Sequence, residues 1–224
     1  MARIARVVVP GLPHHVTQRG NRRQPTFFGP EDYAEYVRLI AASCERCGTA
    51  VWCYCLMPNH VHLIMVPSTE DGLRCALGEA HRRYTRMINA RQGWCGHLWQ
   101  ERFHSFVMDE PHLLAAARYV ERNPVRAGLC ETAADWPWSS ARAHLRGVDD
   151  ELVRVRPLLD LVPDWGQFLV GQDADQIADP LHRHTRTGRP LGSDDFITRI
   201  EVRVGRVLRP QKPGPKPGAD KPAH

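Results

Sequence analysis

AVWCYCLMPNHVHLIMV, residues Ala50–Val66, contains two apolar runs of strand length separated by Pro58-Asn59. The runs Ala50–Met57 and Val61–Val66 are too short for independent helices, and Pro-Asn is a strong turn pair, so the segment predicts an antiparallel hairpin. His60 and His62 lie two residues apart on the second strand. Side chains at i and i+2 share a face, so both imidazoles can reach one ion while Val61 points to the opposite face. Two histidines on a solvated strand fit the same spacing.

The neighbouring patterns extend this hairpin into a fold. Upstream, Val7–Val9 and His15–Gln18 read as extended, interrupted by the turn-like Pro10-Gly11-Leu12-Pro13. Pro30–Cys47 places Tyr33, Tyr36, Val37, Ile40 and Ala41 on one helical stripe, with Glu31 and Asp32 in the first turn and Gly48 placed to end it. Downstream, Glu70–Ala90 has helical periodicity, Phe103–Met108 reads as a strand, and Glu110–Arg122 reads as a helix ending at Asn123-Pro124. Strand, helix, hairpin, helix, strand, helix predicts an α+β sandwich, with helices on one face of an antiparallel sheet. A ferredoxin-like arrangement is the simplest match.

After Gly147 the pattern weakens. Arg156–Trp165 reads as a short helical segment, Gly171–Pro190 as polar loop, and Ser193 to about Val207 as a helix with Ser193 at its N-cap. The tail from Arg209, RPQKPGPKPGADKPAH, has the composition of a disordered segment. The expected organisation is therefore a catalytic domain over 1–147, a C-terminal helical and basic extension over 148–209, and a disordered tail over 210–224.

Net charge is +5 over 224 residues, with an isoelectric point near 9.0, which favours a polyanionic partner. Lys212, Lys216 and Lys221 are the only lysines, so arginine supplies the charge elsewhere. Guanidinium forks suit phosphate and guanine, although a GC-rich genome produces the same bias. No signal-peptide core and no apolar stretch of about 20 residues is present, so the sequence reads as cytoplasmic, with no membrane association. Seven cysteines, an odd number, lead us to expect reduced thiols and not a disulfide framework. Cys44, Cys47, Cys53 and Cys55 also admit a zinc reading, although the second pair lacks the usual C-x2-C spacing.

A nucleophile is needed beside the histidine pair, and Tyr119 in YVERNPVRAGL is the candidate. On a helix Tyr119 and Asn123 share a face. Attack on phosphorus requires a phenolate, which a nearby cation favours, since tyrosine ordinarily titrates near pH 10. A core tyrosine with a helix-capping Asn123 fits the same residues.

PNHVHLI, LWQERFHS, YVERNPVRAGL and WPWSSARAHL occur in that order. Over Val9–Leu145 the chain thereby resembles the single-tyrosine transposases of the HUH endonuclease superfamily, above all the branch associated with repetitive extragenic palindromes (REP). The resemblance implies a ferredoxin-like nuclease that cuts single-stranded DNA beside a hairpin, using Mg²⁺ or Mn²⁺. It places the metal on His60 and His62, and makes Tyr119 the nucleophile that forms a 5′-phosphotyrosine link and frees a 3′-hydroxyl. It further implies strand transfer, and favours a monomer, with a domain-sharing dimer that delivers the tyrosine in trans as the alternative. Asn123 falls where a third ligand often lies, usually Gln or Glu, and an amide is a weaker, uncharged ligand. A non-catalytic hairpin binder with a relic site is the alternative reading, and a hydrolase unrelated to DNA is a third.

His14, Arg19, Arg22 and Arg23 at the end of the first strand, and Arg126 just past Tyr119, are candidate DNA contacts. Arg186 and Arg189, with the basic tail, suggest an added DNA-binding element that supplies salt-dependent affinity.

Overall fold

The structure, a computed structural model, describes residues 4–170 and 177–210. Strand β1 (His14–Arg19) leads to helix α1 (Pro30–Arg46), the hairpin β2 (Thr49–Met57) and β3 (His60–Pro67), helix α2 (Gly72–Gln92), and strand β4 (His104–Val107). Helices α3 (Glu110–Glu121), α4 (Asn123–Arg126), α5 (Ala141–Arg146), α6 (Arg156–Leu159), α7 (Trp165–Val170), α8 (Ala178–Thr187) and α9 (Asp194–Val204) follow. The sheet is antiparallel in the order β2-β3-β1-β4. The expected tail over 210–224 lies outside the described residues, apart from Pro210.

The two faces of β3 have different fates. Val61, Leu63 and Met65 pack with Val16, Tyr54 and Leu56 beneath α1 and α2. Ile64 packs on the other side with Cys53, Cys55, Met57 and Phe106, beneath Leu113, Ala117 and Val120 of α3. A bulge at Trp52 lets Val51 face the first cluster and Cys53 the second. Helices on one face describes α1 and α2 only. The opposite face is equally apolar around Ile64 and Phe106, and burying it requires a second helical layer.

Residues after 147 supply much of that layer. Trp165, Leu169, Ile177, Leu181 and Leu191 are buried in the same cluster as α3. Both sheet edges are also covered: Ser139 and Val153 bridge to β2, and Leu191 bridges to Met108 beside β4. The 148–209 segment thus shares a core with 1–147. Phe196 and Ile200 of α9 bury Val7, Val9 and Val107. Ser193 caps α9 as expected, its hydroxyl accepting from Phe196 N–H at 3.2 Å. Within the stretch expected to be loop, α8 is a helix. Few of its residues are apolar, but Leu181 and the preceding Ile177 are buried on the same side.

Glu121 fastens α3 to this layer. Its buried carboxylate accepts hydrogen bonds from Ser140 Oγ at 2.5 Å, His144 Nδ1 at 2.7 Å and Trp165 Nε1 at 2.7 Å. The expectation of reduced thiols is corrected at one pair: Cys47 and Cys75 form a disulfide, with Cα atoms 5.9 Å apart. Cys47 closes α1 and Cys75 lies in the first turn of α2, so packing of the two helices brings them within bridging range. Cys44 lies in the first cluster and Cys53 and Cys55 in the second, so the zinc reading has no assembled site.

Asp32 of α1 is buried, and Arg91 of α2 donates to its two oxygens at 2.6 and 2.7 Å. Burial works against the charge, but the bonds from Arg91 and from Phe28 N–H outweigh it and hold the carboxyl below its ordinary range. Arg91→Ala is expected to cost about 1–2 kcal/mol in urea unfolding at pH 7, at the low end because Arg91 is half exposed. The contribution of a carboxyl with a depressed pKa is present above its unfolded value of about 3.9 and fades as pH falls through the folded value. The gap between wild type and variant should therefore narrow at about pH 3.

Candidate nuclease site

Arg19, His60, His62, Tyr119, Asn123, Arg126 and His182 line a cleft of about 800 Å³ on the second face. Register puts them there: Thr17 pairs with His62 and Arg19 with His60, so the first strand brings its basic end beside the histidines. The β2–β3 turn is pinned by the loop after β1. Gly20 N–H donates to Asn59 O at 2.8 Å, and Thr26 N–H donates to Pro58 O at 2.9 Å. A Cβ on Gly20 would lie 2.3 Å from Gln24 O, so only glycine allows this approach.

The histidines are held with defined orientations. Asn59 Nδ2 donates to Arg23 O at 3.0 Å, which makes Asn59 Oδ1 an acceptor for His60 Nδ1–H at 2.7 Å. His60 Nε2 is thereby the nitrogen with the free lone pair. His62 Nδ1 lies 3.1 Å from His15 Nε2, and His62 Nε2 lies 3.4 Å from Asn123 Nδ2. With His62 Nδ1–H donating to His15, its Nε2 bears a lone pair, which faces the Asn123 Nδ2 group. Burial, reinforced by Arg19 and His182, lowers the His60 pKa to about 4. Burial, followed by the neighbouring His60 and His15, lowers that of His62 further. Both are neutral donors at pH 7.

Two neutral imidazoles, with the Asn123 amide rotated so that its oxygen replaces the Nδ2 that now faces His62, would fit a divalent cation whose remaining positions are open to phosphate oxygens. Among the described residues no group of three His, Cys, Asp or Glu side chains converges on one point, so Asn123 is the third protein donor at hand. The expected helix end at Asn123-Pro124 is instead a step. α3 stops at Glu121, and α4 restarts at Asn123 with Pro124 in its first turn, keeping the amide against His62.

Tyr119 has a buried ring, flanked by the His62 ring at 5.7 Å and by the Arg126 guanidinium at 4.7 Å from its centroid. Its hydroxyl lies 3.0 Å from His182 Nε2. Arg19, Arg23, Arg126, Arg183 and Arg186 line the cleft, and among the described residues Asp179 is the one carboxylate that does so.

Other sequence candidates fall elsewhere. His14 is fully buried: its Nε2 accepts from Val9 N–H at 3.0 Å and its Nδ1 lies 2.8 Å from Leu12 O, so it serves the fold and cannot meet DNA. Arg189 donates to Leu208 O and ties the end of α9 to α8, and Arg22 is exposed outside the cleft lining. His182 and Arg183 were hidden in the segment read as loop. The amphipathic spacing of Ile177 and Leu181 was the signal that could have found them.

The sequence matches the family described as Transposase IS200 like over residues 8–123, just over half of the chain. The chain belongs to the IS200-like transposase family. A Haemophilus influenzae protein named as a REP-associated tyrosine transposase is 28% identical over 117 residues, which cover 47% of this chain and 66% of that relative. A solved structure of a REP-associated tyrosine transposase bound to a REP hairpin superposes with a TM-score of 0.56 at 21% identity. That match covers 67% of this chain and 90% of the other and supports the fold. The family match includes His60, His62, Tyr119 and Asn123 but ends before α8.

His14→Ala is expected to lose about 1–3 kcal/mol in chemical denaturation, because the buried Val9 N–H is left without an acceptor. His60→Ala, at the half-buried cleft wall, should change stability by less than about 1 kcal/mol.

Proposed function

We propose that this IS200-like family member is a single-stranded DNA endonuclease and strand transferase acting beside DNA hairpins, with Tyr119 as nucleophile. One observation carries the reading: Tyr119, His60, His62 and, among the described residues, five arginines line one cleft. The REP hairpin of the structural relative supports a hairpin as the DNA form. His60, His62 and Asn123 would hold Mg²⁺ or Mn²⁺. When bound, the cation would draw charge from the scissile phosphate and stabilise the leaving oxygen.

The chain's own groups divide the remaining work. The arginines neutralise the phosphates of the strand and orient it, while the buried ring of Tyr119 fixes the direction of its hydroxyl. Attack yields a 5′-phosphotyrosine and a free 3′-hydroxyl, and a second 3′-hydroxyl attacking that link completes transfer. Tyr119 meets His60 and His62 of its own chain across one cleft, which supports a monomer.

The test uses a library of labelled hairpin oligonucleotides with randomised loops and single-stranded flanks, incubated with Mn²⁺ and separated on denaturing gels. Wild type should form a protein–DNA adduct that EDTA prevents. His60→Ala with His62→Ala, and separately Tyr119→Phe, should abolish it without unfolding the protein. Hairpin binding without adduct would mean a binding protein. Cleavage undiminished in the double histidine variant would remove the metal site. Arg186→Ala should weaken binding and reduce the salt slope by about 0.7 for each phosphate that is no longer neutralised.

A further inference from the structure

The hydroxyl of Tyr119 ends against a side chain that the family match does not reach. His182 Nε2 lies 3.0 Å from Tyr119 Oη, a hydrogen-bonding distance, and the rings meet edge to face with centroids 6.2 Å apart. His182 is carried by α8, whose position is fixed independently of this contact. Leu181 is fully buried in the cluster shared with Val120, and His104 Nδ1 of β4 lies 2.9 Å from Thr185 O. At the far end of α8, Ile4 N–H donates to Thr187 O at 3.0 Å. A helix anchored at three places presents His182 to the one atom that must lose a proton for attack.

We propose that His182 is a catalytic residue that accepts the Tyr119 proton, so that the segment after the family-matched region completes the active site. The inference rests on the nuclease reading above. In the cleavage step the Tyr119 O–H bond breaks and its proton passes to His182 Nε2 as Oη forms the bond to phosphorus. The bond from phosphorus to the 3′-oxygen breaks, and that oxygen takes a proton from water. In the joining step a 3′-hydroxyl attacks the phosphotyrosine and releases its own proton to water. The link to Oη breaks, and the proton on His182 returns to Tyr119.

Two features of the site bear on this transfer. Burial, and then the Arg126 charge, lower the His182 pKa, with Asp179 acting the other way, so the ring is neutral and Nε2 can receive a proton. The hydroxyl must lose its proton to attack phosphorus, so an acceptor 3.0 Å away has a large effect on the rate.

The experiment measures single-turnover adduct formation with the hairpin library and Mn²⁺ for wild type, His182→Gln and His182→Ala, alongside melting temperature and DNA binding. Glutamine can still accept a hydrogen bond from Tyr119 but cannot take its proton. Both variants should fold, bind DNA as wild type does, and form adduct about 100-fold more slowly. Added imidazole should restore part of the rate in His182→Ala. A wild-type rate in His182→Gln would make His182 a positioning residue and overturn the proposal. A faster His182→Ala would show that the contact restrains Tyr119, with the same consequence. Loss of folding or of DNA binding in both variants would also overturn it, by making His182 structural. Absence of adduct in wild type would overturn the nuclease reading and this step with it.

Discussion

The two-residue pleat of β3 is the constraint from which the site follows. Val61, Leu63 and Met65 are committed to the layer under α1 and α2, so His60, His62 and Ile64 must face the other way. That face has too many apolar groups to be left in water, with Cys53, Cys55, Ile64 and Phe106 fully buried. The helix that covers it, α3, carries Tyr119. Glu121, two residues further on, holds the helix through its bonds to Ser140, His144 and Trp165. The same covering that buries the sheet therefore sets a hydroxyl beside two imidazoles.

Electrostatics within the cleft are asymmetric in a way that suits phosphate. The imidazoles have lost their charge to burial, to one another and to Arg19, while five arginines among the described residues line the same cleft. Neutral histidines can donate lone pairs, and arginines can bind a strand without competing for those positions. Because Asp179 is the only carboxylate lining the cleft among the described residues, these oppose the approach of a polyanion little.

Much of this was legible in the sequence where the signal is local. The hairpin around Pro58-Asn59, the apolar stripe of α1 and the Ser193 cap all appear as read, because turn chemistry, helical period and capping are properties of neighbouring residues. What was missed depends on distant partners. His14 and Arg19 belong to one basic-looking stretch, yet the pleat and the Val9 N–H draw one into the core and leave the other at the cleft. Beyond α3, much of the second helical layer comes from short segments after Gly147, whose few apolar residues matter only once Phe106 and Ile64 offer them a surface. α8 was lost for that reason, and His182 with it. The Cys47–Cys75 bond likewise needs the packing of α1 on α2, which cysteine spacing does not reveal.

The central claim is that Tyr119 attacks DNA from within this histidine-lined cleft. It is tested most directly by digesting the products of the wild-type reaction with hairpin DNA, first with nuclease and then with trypsin, and mapping them by mass spectrometry. Arg118 and Arg122 bracket the nucleophile, so the account predicts a nucleotide remnant, joined through a 5′-phosphate, on the peptide Tyr119–Arg122. Cut DNA with no remnant on any peptide, or a remnant on a different residue, would contradict it.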